Sequence, residues 1–546
     1  MTSIPSTGPV SFSDVKTMLG ISTYNMNSFR IPSGTYTPGT NIPTGSSTTI
    51  NMDIFHGKTR AGCSQWSTKM GTTTFDNIYG SKTDSSGNII VCGTFNGTTF
   101  TLYNQPGTTA AATLARIGSG DIFVAKYTSA GNVVWAARAG STANDTGFQL
   151  DIDSSNNIYV GGGFRATMTI YNSNGTSAAT LVPVGTGDSA HIIKYDTNGN
   201  YVWALRCGTA GTINTNLYGL VVDSTGSIIA TGPMNGACGI YNSSASGAGL
   251  AATLSQIGGQ DVWIAKWNSS GLYQWSTRCG GLTGTDTENI FRLTVDSTNS
   301  VFIPISYGSA LNVYNANGTL WGTIALISTA QDVCLIKYSS AGAVSWAIKG
   351  GSASSDIICG AVCDKVDDSV YFSFSGSNPS SVYNASGVLS ATLLGGAYII
   401  KYNSAGAFLW AVRMWTTSST LVFCMALTPN REVVVFGNYN GGPSSVALTF
   451  YNTAGTSVDT KASATYNQLF IAKYDSSGTY KYSSLITSTA VGLGIADLDC
   501  SSSIAQTLVG GYSATSLPTF NTPSGVASSS QTSIGSTDIF LCRYVF

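Results

Sequence analysis

The sequence predicts an all-β fold, a seven-bladed β-propeller closed by an N-terminal outer strand, and three observations predict it. First, one pattern recurs. DIFVAKYTSAGNVVWAARAG, DVWIAKWNSSGLYQWSTRCG and YIIKYNSAGAFLWAVRM each give an apolar strand, a basic–aromatic pair, a small turn and a strand with an aromatic. Second, the basic anchors Lys126, Lys194, Lys266, Lys337, Lys401, Lys473 and Arg543 are spaced by 68, 72, 71, 64, 72 and 70 residues. Third, the seventh copy is split. Arg543 lies almost at Phe546 and has no following strand, while an orphan strand with the right aromatic, AGCSQWSTKMG with Trp66, stands near the other end. A closed circle of repeats explains that split and an open solenoid does not.

Each element follows in order. The first strand of a repeat (A) alternates, as in FQLDID. A short turn follows, introduced by Asp84, Asp153, Asp223, Asp296 or Asp364. Its carboxylate can accept a backbone N–H two residues on, and the Gly or Asn beyond tolerates positive φ. Strand B is NIIVCGTF, NIYVGGGF or SIIATGPM, strand C is DIFVAKY and strand D is NVVWAARAG. The D aromatic is Trp135, Trp203, Trp275, Trp346, Trp410 or Tyr482. Four antiparallel strands make a blade. The expected blades are 72–140, 141–208, 209–280, 281–351, 352–414, 415–485 and 486–546 with 60–71, within a propeller of 57–546.

The repeat is longer than four strands need. Between B and C a Tyr-Asn or Phe-Asn pair recurs, beginning at Tyr103, Tyr171, Tyr241, Tyr314, Tyr383, Tyr451 and Phe520, often before an Ala-Thr-Leu strand. This predicts an extra hairpin on every blade. It either lengthens strands B and C or caps blade edges, or else the seven loops form a contact surface.

The matching strings Gly120 to Tyr127, Gly131 to Trp135 and Asp153 to Gly162 resemble the SBBP family of seven-bladed propeller repeats over about residues 60–546. The resemblance implies fold and blade number and says little about function. The Tyr-Asn hairpins depart from the family, as does the sixth turn, TPNRE.

The first 60 residues differ, with 5 of the 14 prolines. PVSFSDVKTMLG reads as a short helix with Gly20 after its end, and residues 31–49 read as a Pro/Gly/Ser/Thr linker. GPVSFSDVKTMLG and INMDIFHGKT resemble segments at the starts of tail-fibre and virion structural proteins of tailed phages and large DNA viruses. That resemblance implies an anchor at 1–56, with Phe12, Val15, Leu19, Ile54 and Phe55 packed on a capsid or tail protein, or on sister copies, and the propeller displayed outward. Homo-oligomerisation stays open.

Composition bounds the chemistry. Charged residues are 9%, net charge is −1 and Gly is 63, so the surface must be built mostly from Ser, Thr, Asn and Gly. There is no basic excess for nucleic acid. No apolar run is long enough to span a bilayer and no apolar signal region follows Met1, which argues against export and for assembly in a host cytoplasm. The 11 cysteines sit singly in apolar strands with no zinc-ligand spacing, as expected of buried thiols in a reducing compartment. No cofactor or metal is expected.

Two histidines, His56 and His191, argue against a His-based triad or a multi-His metal site. The two glutamates, Glu288 and Glu432, belong to different blades, so a paired-Glu hydrolase is not expected; the 24 aspartates leave Asp pairs open. The expectation is therefore a non-enzyme whose channel gathers no carboxylate cluster beside a base. Two rings of positive charge remain: the strand-C lysines and the strand-D cations Lys69, Arg138, Arg206, Arg278, Lys349 and Arg413. Of these Arg138, Arg206, Arg278, Lys349 and Arg413 are candidate binding residues for an anionic or sialylated glycan. The competing expectation is inter-blade ion pairing with the aspartate that starts strand C: Asp121, Asp188, Asp261, Asp332 or Asp538. The functional expectation is a virion-surface or fibre-like protein contacting a host protein or receptor. A carbohydrate-binding attachment module would show exposed aromatics on one face, and a hydrolase would show convergent channel carboxylates.

Overall fold

The computed structural model describes residues 63–545 except 248, 282–288, 291, 418–419, 440–445, 462–467, 488–492, 500–504, 514–518, 522–526, 531–533 and 535–536. The N-terminal helix, the linker and the anchor residues Phe12, Val15, Leu19, Ile54 and Phe55 lie outside the described residues. The described chain forms seven antiparallel sheets, as expected of seven blades, with one 3-10 turn at Ser244–Ser246.

The second repeat shows how sequence becomes blade. Strand A is Thr146–Ile152, B is Ile158–Phe164, C is Ser189–Tyr195 and D is Tyr201–Thr209. B and C are buried along their whole length, because each lies between two sheet neighbours and between two adjacent blades. The A–B turn forms as its chemistry requires. Asp153 Oδ1 accepts the N–H groups of Ser155 and Asn157, both at 2.9 Å, and Asn156 takes φ 61°. In the sixth blade Thr428 replaces this aspartate, and its hydroxyl accepts Glu432 N–H at 3.1 Å.

The extra hairpin does cap an edge, but not the edge of its own blade. Strands Met168–Tyr171 and Ser177–Leu181 of the second repeat extend the sheet of the first, with Thr169 opposite Gly140 and Ile170 opposite Ala139 of strand Val133–Gly140. The same handover recurs around the ring, so every blade has six strand positions and takes its outer two from the next repeat. The blades are therefore not contiguous stretches of chain. The Tyr-Asn pair explains how the hairpin serves both neighbours. Tyr171 lies under Arg138 of the preceding blade, 4.4 Å from ring centroid to guanidinium, while Asn172 Oδ1 accepts Tyr201 N–H of its own repeat at 2.9 Å.

Closure follows the same rule. Strand Cys63–Gly71 pairs with Thr537–Val545, running from Cys63 opposite Val545 to Met70 opposite Ile539. Its other edge receives Thr99–Asn104, with Met70 opposite Leu102. The N-terminal strand thus supplies strand D of the last blade, and the first repeat's hairpin seals its edge. The edge of Cys63–Gly71 is thereby covered, and the sheet ends outward in the short strand Thr109–Ala115.

Neighbouring blades are clamped at one carbonyl. Trp135 Nε1 and Lys126 Nζ both donate to Thr197 O in the next C–D turn, at 3.1 and 3.4 Å. Trp203 and Lys194 converge likewise on Ser269 O, Trp275 and Lys266 on Ser340 O, Trp346 and Lys337 on Ser404 O, and Trp410 and Lys401 on Ser476 O. Trp66 and Arg543, from opposite ends of the chain, converge on Ser129 O at 3.0 and 3.4 Å. At the seventh seam strands C and D of the receiving blade come from different chain ends. Tyr482 stands there in place of tryptophan.

Candidate functional site

Each of the five candidate strand-D cations lies over a tyrosine of the next repeat's hairpin. Arg138, Arg206, Arg278, Lys349 and Arg413 lie over Tyr171, Tyr241, Tyr314, Tyr383 and Tyr451, at 4.4, 4.7, 4.8, 5.0 and 4.0 Å. The aromatic-x-x-basic strings and the Tyr-Asn pairs are two halves of one seam contact, worth about 0.5–1 kcal/mol where partly exposed. Several also donate to the chain below, as Arg206 does to Val182 O at 2.7 Å.

The ion pairs also differ from expectation. The strand-C lysines pair with the A–B turn of their own blade: Lys126 with Asp84, Lys266 with Asp223 and Lys337 with Asp296, all at 2.8 Å, and Lys194 with Asp153 at 3.7 Å. In the sixth blade Lys473 pairs with Glu432 at 2.7 Å, so the departing turn keeps its charge. Asp121, Asp261, Asp332 and Asp538 instead accept backbone N–H groups of the loop leading into strand C, as from Ile117 at 2.5 Å.

Those buried aspartates meet a second set. At three seams the strand-C aspartate faces the aspartate opening the next strand A: Asp538 with Asp76, Asp121 with Asp145 and Asp332 with Asp356. Glycine lies alongside because nothing larger fits; a Cβ on Gly140 would sit 2.5 Å from Asp121 Oδ1. Burial, and to a smaller degree the facing carboxylate, pushes Asp76 up to about 6 and Asp145 and Asp356 up to about 7. The folded state therefore keeps protons that the unfolded chain has lost. This contribution to stability is fully present below about pH 4 and fades as pH rises through about 6–7. The lysine-paired Asp84, Asp153, Asp223 and Asp296 work oppositely: burial acts upward, but the lysine and the turn hydrogen bonds outweigh it and hold them low. Their contribution is lost only in stronger acid. Melting should therefore occur at lower temperature near pH 8 than near pH 5. Asp145→Asn with Asp356→Asn should shrink that difference, as scanning calorimetry at the two pH values would show.

The A strands line the central channel, each touching the A strand of the next blade. They carry an inserted residue. The register shifts between Ile78 and Gly80, Gly147 and Gln149, Ile358 and Gly360, Val422 and Cys424, and Ile495 and Asp497. Such bulges re-aim a side chain. Tyr79 and Phe148 occupy two of them, and Tyr218 holds the corresponding place in the third blade. Tyr79 meets Phe148 at 5.0 Å and 69°, and Phe148 meets Tyr218 at 5.2 Å and 62°, an edge-to-face arc. The arc lies toward the end of the channel where the D–A loops gather. The signal was in the sequence: Tyr79, Phe148, Tyr218, Phe291 and Phe423 each stand five positions before the A–B turn residues Asp84, Asp153, Asp223, Asp296 and Thr428.

The opposite, turn-side mouth is charged. A cavity of about 360 Å³ there is lined by Lys82, Lys365, Asp151, Asp499, Arg292 and Asp497, among others. Lys82 and Asp151 pair at 3.3 Å, and Arg292 pairs with Asp497. Asp151 also accepts Val222 N–H at 2.7 Å, and Asp497 accepts Ser81 N–H at 2.6 Å. Asp151 holds the Lys82 ammonium above the usual lysine range, while burial pushes Asp499 up. Asp151, Asp497 and Asp499 thus stand around Lys82 at this mouth. Alternation along FQLDID placed Asp151 inward once the bulge had shifted the register.

Among the described residues, no group of three His, Cys, Asp or Glu side chains is disposed to hold a metal ion. His191 is fully buried, at 3.0 Å from Thr146 O, and burial lowers it to about 4, so it is neutral and structural. Cys92, Cys207, Cys238, Cys359, Cys363 and Cys424 are buried thiols. No helix of the described chain is long and apolar enough to cross a membrane.

No family model matches this chain. It is similar to an uncharacterized WD repeat-containing protein, L264, of Acanthamoeba polyphaga mimivirus, with 24% identity over 445 residues, 71% of this chain and 31% of that protein's length. This chain therefore spans less than a third of that relative. Among solved structures it is similar to the Dos1 propeller, with TM-score 0.35, 9% identity, and 88% of this chain and 95% of that one covered. It is also similar to an ulvan lyase of polysaccharide lyase family PL25, with TM-score 0.34, 10% identity, and 77% and 95% covered. Likeness this distant carries no functional argument. The chain is an all-β, seven-bladed β-propeller with a viral WD-repeat relative.

Proposed function

We propose that this protein is a non-enzymatic surface component of a large DNA virus particle, in which residues 1–56 anchor the chain on a capsid or tail protein and the propeller makes the outward contact. The observation that carries this reading is the similarity over 445 residues to a mimivirus protein with WD repeats. The chemistry supports it. Most cations of the repeat lie in seam stacks, turn ion pairs and carbonyl clamps, which leaves a weakly charged outer surface suited to contact. The anchor rests on the apolar residues of a segment too short and too polar to fold alone. Proteomic analysis of purified particles should find the protein. Phe12→Asp and Leu19→Asp should release it from particles while its melting temperature stays unchanged. Wild-type retention of both variants would sink the anchor.

The gathered channel carboxylates favour a second reading, a hydrolase working at the turn-side mouth. Against it, Asp151 and Asp497 each hold both an ion pair and a backbone N–H. Turnover of a glycan substrate that Asp499→Asn abolishes would establish the second reading over the first.

A further inference from the structure

We propose that the loop-side mouth of the channel, between the first and third blades, is a binding site for a neutral glycan. Phe148 serves there as the stacking platform, and Asn144, Thr146, Arg165, Asp188 and Asn216 serve as the hydrogen-bonding ring. The proposal rests on the reading of this protein as a contact propeller and names what the contact recognises.

The repeat is broken at the start of strand C in the second repeat. Strand C opens with a buried aspartate at 121, 261, 332 and 538, which caps the loop before it. The fifth and sixth repeats open with Gly396 and Gln468; in the second Ser189 takes that place, and its hydroxyl accepts Val184 N–H at 2.9 Å. The carboxylate has moved one residue outward, to Asp188. Sequence spacing alone grouped it with the capping aspartates. Freed from that role, Asp188 accepts Arg165 Nε–H at 2.7 Å, and its own N–H donates to Asn214 Oδ1 at 2.9 Å. Arg165 Nη2 donates to the same Asn214 oxygen at 3.3 Å. A planar guanidinium, a carboxylate and amides are thereby fixed at one lip. The clamps and stacks do not explain them.

Arg165 and Asp188 line a cavity of about 410 Å³, together with Asn144, Thr146, Phe148, Asn216, Ser119 and Gly163. Asn216 is held close over strand B; a Cβ on Gly163 would sit on its side-chain oxygen, so the glycine makes room for it. Phe148 is held by Tyr79 on one side and Tyr218 on the other, which fixes its ring. The ligand chemistry follows from this set. The aromatic ring offers a surface to the C–H face of a pyranose. The charged pair is neutral as a unit, and the remaining groups are amides and hydroxyls, which match vicinal hydroxyls. A sialylated or sulfated ligand would meet Asp188. An apolar or proline-rich peptide would find only Phe148, Ala143 and the glycine to anchor on.

The full chain on an array of neutral, sialylated and sulfated oligosaccharides, with affinity then measured by calorimetry on the neutral hits, tests this. Neutral oligosaccharides should bind. Phe148→Ala and Arg165→Ala should each weaken them at least tenfold, Phe148→Tyr should keep them, and Lys365→Ala at the opposite mouth should change nothing. Melting curves check that each variant is folded. Absence of any neutral hit overturns the proposal. So does binding confined to anionic glycans, binding indifferent to Phe148→Ala, or displacement by a proline-rich peptide instead of by a sugar. Phe148-dependent binding by a protein absent from particles would sink the display reading and leave the site standing; presence in particles without glycan binding would do the reverse.

Discussion

Deleting residues 1–71 should unfold or aggregate the propeller, whereas deleting residues 1–56 should leave it folded. The longer deletion removes strand Cys63–Gly71, which pairs with Thr537–Val545 on one edge and Thr99–Asn104 on the other. It strips Met70 from the core, where it is fully buried, and bares the edge of the last blade. It also unseats the first repeat's hairpin, which has no other sheet to join, and removes the Trp66 donor to Ser129 O. A ring opened at one seam loses two neighbour contacts at once, and the loss is on the order of a whole domain's folding free energy, about 5–15 kcal/mol. Thermal melting and light scattering of the two truncations would decide. If they melt alike, closure through this strand contributes nothing.

Trp203→Ala is the point substitution expected to cost most. Trp203 is 2% exposed. It meets Tyr159 edge-on at 6.0 Å, lies beneath the Lys194 ammonium and donates to Ser269 O of the next blade at 3.3 Å. Removing it opens a cavity at a seam and leaves Lys194 alone on that carbonyl, for about 3–5 kcal/mol of destabilisation. Trp203→Phe keeps most of the volume and loses the donor, so it should fall between the two. Chemical denaturation of the three proteins would rank them; equal midpoints for wild type and Trp203→Ala would mean that the clamp does not hold the blades.

The ring was legible because its periodicity is long-range. Lys126 to Arg543 recur in phase, and the orphan Trp66 stands where the last copy is incomplete. Strands, turns and closure follow from that phase with ordinary turn and alternation chemistry. The hairpin handover was not legible. Nothing in Tyr171-Asn172 says which blade edge the strand joins, since either neighbour presents free N–H and C=O groups, and only the reach of the connection decides. The channel was missed for a local reason. Strict alternation along strand A gives one answer, but an inserted residue at Tyr79 or Phe148 shifts every later side chain to the other face, so Lys82 and Asp151 change sides. The loop-side cavity was hidden by apparent regularity. Asp188 looks like one more strand-C aspartate until Ser189 is seen in its place.

The handover of each hairpin to the preceding sheet sets an order on folding during synthesis. As the chain leaves the ribosome, no stretch of it can finish a blade alone. A sheet that already holds its four inner strands waits, with its D edge bare, for the following B strand and hairpin to emerge. The first repeat's own hairpin joins strand Cys63–Gly71, made just before it, and that three-stranded piece has no blade to complete until strand Thr537–Val545 arrives. The nascent ring thus carries one unfinished margin and one waiting three-stranded piece, and both are resolved in the same final event. A chain interrupted after six repeats would not be a smaller propeller but an open one with two mismatched ends. Any lineage that changes the blade number must gain or lose a unit cut within the interlock, from hairpin to hairpin, rather than from blade to blade.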